Sequence, residues 1–150
     1  MNENIKFRDN VTVKHYREGN LLGTYHSHNQ TQYAVLDEVI DALDTGSCND
    51  IITMGIGTGS GQGRDATALS SIESFETGAA VTATQAGDGE SVEFSTTFTA
   101  KGSWAITEAG LATSADCATG LMFYDDTISV SMTDGDTLQI DWTISVASAS

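Results

Sequence analysis

Residues 55–66 read GIGTGSGQGRDA, five glycines at every second position followed by an arginine and an aspartate. Glycine-rich loops hold phosphate when their backbone N–H groups open a helix toward the ligand. A dinucleotide loop requires G-x-G-x-x-G, but Ser60 follows the pair Gly55 and Gly57, and Gln62 follows Gly57 and Gly59. A Walker loop requires a lysine before Ser or Thr, and the run contains none. The run therefore predicts a connection whose glycines permit tight or left-handed backbone, with an exposed tip from Ser60 to Asp65.

Other residues invite chemistry less strongly. His26 and His28 would share one face of a strand, as a metal pair requires, but no spaced cysteine or acid supplies a third ligand. Asp125-Asp126 and Asp134-Gly135-Asp136 offer oxygen ligands without the twelve-residue calcium loop, and turn chemistry accounts for them. No G-x-S-x-G elbow marks a nucleophilic serine. With 21 acids, no carboxylate pair stands out for glycoside hydrolysis. Trp104 and Trp142 lie in alternating segments and read as core residues. Cys48 and Cys117, only two and far apart, read either as a disulfide or as two buried thiols. The residues thus nominate no particular reaction, and no cofactor or metal is expected.

Charge is the strongest compositional signal: 21 Asp and Glu against 6 Lys and Arg, a formal net charge of −15. Lys6, Arg8, Lys14 and Arg17 fall in the first 17 residues, leaving Arg64 and Lys101 against 19 acids beyond them. Such a body repels a phosphate backbone, so nucleic acid is not an expected partner. An apolar fraction of 39% argues against disorder. Scattered acids with few lysines instead fit a halophilic setting, since at 1 M salt the Debye length is about 3 Å and self-repulsion is screened. No run of 18 apolar residues occurs, and MNENIKFRDN lacks the order of a secretory signal; a soluble protein with no membrane partner is expected.

The elements that must carry these residues are mostly strands. Residues 5–16 alternate loosely, Glu18-Gly19-Asn20 breaks the run, and 21–25 resume it, predicting a hairpin. The spacing of Tyr33, Leu36, Ile40 and Leu43 predicts one helix over about 30–45, with Asn29 or Thr31 as N-cap, Gly46 as C-cap and those four side chains turned inward. Its other face carries Asp37, Glu38, Asp41 and Asp44, a solvated acidic stripe. Ile51 to Met54 fits a buried strand, and a short helical turn is expected over 68–75. Strands follow at 81–84, 92–98, 104–106 and 120–124. A closing hairpin is expected from 128–132 and 138–146 about Thr133-Asp134-Gly135-Asp136. The fold class is therefore mainly β, a jelly-roll-like antiparallel β-sandwich with one helix in a single domain over 1–150, residues 1–28 forming an attachment arm or hairpin. With no proline anywhere, its edges need charge, bulges or neighbouring subunits.

Several segments taken in order carry a resemblance: Val11 to Tyr25 with its EGN turn, His28-Asn29 before the helix, IITMGIGTG at 51–59, Thr67-Ala68-Leu69 with Glu73, ITEAGL at 106–111, GLMF at 120–123 and GDTLQIDWTI at 135–144. Over nearly its whole length the chain resembles virion structural proteins of tailed viruses, the head-decoration and tail-fibre-like proteins that share a small β-sandwich. Arginines common in that family after Glu73 and after Leu121-Met122 are replaced here by Ser74 and by Phe123 to Asp126. The resemblance implies a non-enzymatic role in the virion, and with the acidity, a virus of a salt-loving host. The expected role is capsid decoration or a vertex protein, a homo-oligomer binding the major capsid protein or other virion proteins. Lys6, Arg8, Lys14 and Arg17 are then the expected partner contacts. A tail-fibre or baseplate component that recognises host glycan is the alternative, and it would need Trp104 or Tyr124 exposed.

Overall fold

The computed structural model describes residues 4–28, 30–77, 80–86 and 89–149. Twelve strands and one helix follow in order: β1 (Asn4–Arg17), β2 (Asn20–Ser27), β3 (Gln30–Thr31), α1 (Tyr33–Thr45), β4 (Thr53–Gly57), β5 (Ile72–Thr77), β6 (Ala80–Ala86), β7 (Gly89–Thr99), β8 (Trp104–Ile106), β9 (Glu108–Ala112), β10 (Leu121–Asp125), β11 (Val130–Met132) and β12 (Thr137–Ala149). They form a mainly β, sandwich-like fold of three antiparallel sheets. One five-stranded sheet runs β2-β1-β12-β7-β6, the other β3-β10-β9-β4-β5, and β11 pairs with β8 in a small third sheet.

Alternation in the first sheet sets its buried face. Val11 lies opposite Trp142, which lies opposite Phe94, and Val13 opposite Ile140; Leu138 faces Phe98. These side chains share one core with Met54 and Ile56 of β4, Ala109 and Leu111 of β9, and Met122 and Phe123 of β10. Phe7 and Phe123 meet edge to face across the sheets, with ring centroids 6.5 Å apart. The opposite face of the first sheet carries Gln139, Asp141 and Thr143, only half-buried.

The first hairpin forms as its sequence predicts. Glu18 (φ 52°) and Gly19 (φ 80°) both have positive φ, the signature of a two-residue type I′ turn. Gly23 pairs with His15 but Leu21 pairs with Tyr16, so Leu22 is the extra residue of a bulge. Because β1 is paired with β2 on one side and β12 on the other, the described residues 4–28 form the expected hairpin as an integral part of the first sheet.

Two expected elements change. Residues 72–77 form strand β5 and no helical turn, because β4 offers them a pairing edge from Thr53 to Gly57. The closing hairpin does not form: β11 pairs with β8, while β12 lies between β1 and β7. The glycine turn at 133–136 is real, with Gly135 at φ 85° and the Asp136 N–H donating to the Thr133 carbonyl at 3.0 Å, but it joins strands of different sheets.

Candidate functional site

The glycine run belongs mainly to a strand. Gly55 and Gly57 lie in β4, all five residues of which are buried, and of the run's glycines only Gly61 has a positive φ (79°). The spacing of two puts Gly55, Gly57 and Gly59 along one strand face, and the segment 69–71 crosses that face closely. A Cβ on Gly55 would stand 3.1 Å from the Leu69 side chain and 2.9 Å from the Cys117 sulfur; one on Gly57 would collide with the Ser71 carbonyl and Glu108; one on Gly59 would reach Ser70. Gly110, opposite Gly55 in β9, clears the other side of Leu69.

The tip beyond them is tied back onto the molecule. The Gln32 amide donates to the carbonyls of Gly63 (2.8 Å) and Ala66 (3.0 Å), and the Arg64 Nε donates to the Thr31 carbonyl at 2.8 Å. The Arg64 guanidinium sits 4.5 Å above the Tyr33 ring. The tip thus fixes the start of α1.

That anchorage turns the helix away from its expected orientation. Gln32 is the N-cap, without the side-chain bond expected of Asn29 or Thr31, and Asn29 lies outside the described residues. Gly46 (φ 70°) closes the helix as expected, its N–H donating to the Ala42 carbonyl. Val35 is the residue the helix buries, whereas Tyr33, Leu36, Ile40 and Leu43 point outward, Leu43 with 79% of its surface exposed. An apolar stripe that period alone assigns to the core therefore faces solvent.

Of the four expected contact cations, Arg17 is engaged inside the molecule. Its guanidinium donates to both oxygens of buried Asp136, at 3.0 and 2.9 Å, and His15 Nε2 lies 2.8 Å from the same carboxylate. The Thr133 N–H and hydroxyl add two more donors. Chiefly through the bond from Arg17, the Asp136 carboxyl is held far below the usual carboxylate range. Arg8 is exposed and Lys14 half-buried, and neither makes an ion pair among the described residues. Lys6 lies in β1 opposite Ala147, and its side chain is outside the description.

A second buried carboxylate lies under the glycine strand. Glu108 accepts from the Ser70 N–H (3.0 Å), the Ser71 N–H (2.7 Å) and the Tyr124 hydroxyl (2.9 Å). Burial, then the bond to Glu108, raises the Tyr124 phenol well above its ordinary value, so it remains a donor. Such a tetrad joins β9, β10 and the crossing segment with every donor used. Tyr124 is only 2% exposed, which removes it as a glycan platform; Trp104 is half-buried and Trp142 fully buried.

The remaining candidates close loops. Asp125 accepts from Ser27 and Thr127, and Asp126 from the Gly61 N–H. His26 meets Thr12 at 3.3 Å. No three His, Cys, Asp or Glu residues gather as metal ligands among the described residues, and no described helix is long and apolar enough to cross a membrane. Both cysteines are free: Cys48 is exposed, while burial pushes the Cys117 thiol up to about 12.

An apolar groove of about 440 Å³ lies between α1 and the end of the first sheet. Val35, Val39 and Ala42 line it from the helix, Phe7, Val92 and Ile144 from the sheet, and Glu38, Asp50 and Glu90 are its acids. The sequence does not announce it, since its walls come from six separate segments; Glu38 of the helix's acidic stripe is the one trace it leaves. No family model, curated protein or solved structure matches the chain.

Proposed function

We propose that the chain is a non-enzymatic structural component of a tailed-virus particle, a capsid decoration or vertex protein that binds the major capsid protein. The observation that carries this reading is the outward apolar stripe of α1, Leu36, Ile40 and Leu43, which the protein's own core leaves exposed. Apolar surface of this kind gains free energy when a neighbour removes it from water. The ordered motifs from Val11 to Ile144 that resemble virion proteins supply the identity of that neighbour. Arg8 and Lys14 are the cations left for it, since Arg17 is held by Asp136.

The test is copy number on purified particles, read from a calibrated stained gel at 15.8 kDa. Hundreds of copies per particle are expected of shell decoration and about a dozen clusters of a vertex protein. A handful of copies would move the protein to the tail, and absence of the band would overturn the reading.

A further inference from the structure

We propose that two copies of this chain pair through β2, the outer strand of the first sheet, antiparallel about a two-fold axis, joining two five-stranded sheets into one. Among the described residues β2 pairs with β1 alone, so the other side of its backbone ladder is open. Such an edge is a template for one kind of occupant, another extended strand. Lysine, proline or other charge normally guards an exposed edge. β2 has none of these: from 19 to 36 the sequence contains no Asp, Glu, Lys, Arg or Pro. Its one protective device is the bulge at Leu22, which leaves Gly23 to Ser27 in regular register with β1. The strand is apolar where it meets solvent, at Leu21 (53% exposed), Leu22 (50%) and Tyr25 (41%). Gly23 makes room for Tyr25, whose hydroxyl would stand 2.8 Å from a Cβ there, so the ring lies over the strand and widens its apolar surface.

Charge and symmetry select a second copy as the occupant. At a net charge of −15, two copies repel over most of their surfaces. Only Glu3, Asp9 and Glu18 precede Asp37, against Lys6, Arg8, Lys14 and Arg17, and the other 18 acids follow. The first hairpin thus belongs to the least acidic stretch of the chain, and β2 is its outer strand. The remaining edges differ. β5 carries Glu73 and Glu76, while β3, β8 and β11 are two or three residues long. β6 is uncharged, but Glu76, Asp88 and Glu90 flank it and Val81 is its one large apolar residue. Identical strands paired antiparallel are self-complementary, as an isologous contact requires. The leucines and tyrosine of one β2 then lie against those of the other, the cross-strand pairing that stabilises sheets. Antiparallel pairing also parts the two Glu18 residues, each at the opposite end of the joint. β1 holds β2 in register before any partner arrives, so little ordering is left for association.

Cysteine placement reads the contact directly. In a Cys48→Ser background, where Cys117 is buried, single cysteines replace Leu21, Leu22, Thr24, Tyr25 and His26 in turn. Each variant is oxidised mildly and run on a non-reducing gel. A strand paired with its own copy brings identical residues together only near the axis, so the yield of disulfide dimer should peak at one position and fall away on both sides. A yield that is absent, flat along β2, or matched by Glu76→Cys on β5 overturns the proposal. Sedimentation in about 1 M sodium chloride, where repulsion is screened, should show the unaltered chain associating as concentration rises. Tyr25→Glu sets like charges across the joint and should weaken association about tenfold or more, while Leu43→Glu, the same charge change on exposed α1, should leave it within about twofold. Leu22→Glu repeats the test should Tyr25→Glu melt early. Equal weakening by the β2 and α1 variants, or a monomer at every concentration, would also overturn the pairing. The particle reading is tested separately, since the gel band on virions and the cross-link of the purified chain can fail independently.

Discussion

Asp136 holds together residues from opposite ends of the chain, His15 and Arg17 from the first strand and Thr133 from the turn before the last. Its folded-state carboxyl ionises below its unfolded value, so its contribution is complete above about pH 4 and is lost as pH falls toward the folded value. Asp136→Asn should therefore melt below the unaltered protein at neutral pH, with the gap narrowing as pH falls below about 4; a constant gap would contradict the assignment. No sequence signal pairs Arg17 with Asp136, because nothing local marks a partner 119 positions away, and the DG turn read instead as a hairpin. The glycines were more legible than their first reading allowed: a spacing of two is the period of a strand face, and the residues that cover it are 11–14 positions on. Gly57→Ala should cost about 1–3 kcal/mol or more, since its methyl meets the Ser71 backbone as well as Glu108, measurable by urea unfolding. Gly61→Ala, where a Cβ meets nothing but φ is positive, should cost about 1–2 kcal/mol.

At the scale of elements, strands with one buried face were readable; of those buried on both, β10 was expected at 120–124 and β4 in part at 51–54, while β9 was not expected as a strand. β1, β7 and β12 alternate and announce themselves, but β4 and β9 are covered on both faces and show no period. β5 is largely exposed at an edge, with Ile72 and Phe75 spaced as on a helix, so its pattern misleads. The helix was found within three residues at its start, yet its orientation was wrong, because the Gln32 and Arg64 contacts that set it come from the glycine loop. That orientation is testable. Leu43→Ser should change stability by less than about 0.5 kcal/mol, as expected of an exposed side chain, while Val35→Ala should cost about 1–3 kcal/mol. Chemical denaturation of both variants decides which face is inside; a large loss at Leu43 would restore the inward stripe. The groove beside the helix was invisible for the same reason, since its walls meet only after α1 is placed.

For the whole molecule, the net charge of −15 and the scarcity of ion pairs go together: among the described residues the salt bridges are those of His15 and Arg17, both to Asp136. With 21 acids against 6 Lys and Arg, the acids repel one another, and mobile ions must screen them. The melting temperature should accordingly rise steeply between about 0.1 M and 1 M salt, followed by calorimetry in sodium chloride; a flat response would refute a halophilic design. The sheet order has a further consequence, in time. Asn4 pairs with Ala149 and Tyr16 with Thr137, so β1 acquires its inner neighbour only when the last strand has been synthesised. At about 5–20 residues per second, the ribosome leaves β1 and its valines without β12 for on the order of ten seconds. Over that interval the hairpin waits with one side unpaired, and the first sheet closes as a late, long-range event that sets the pace of maturation.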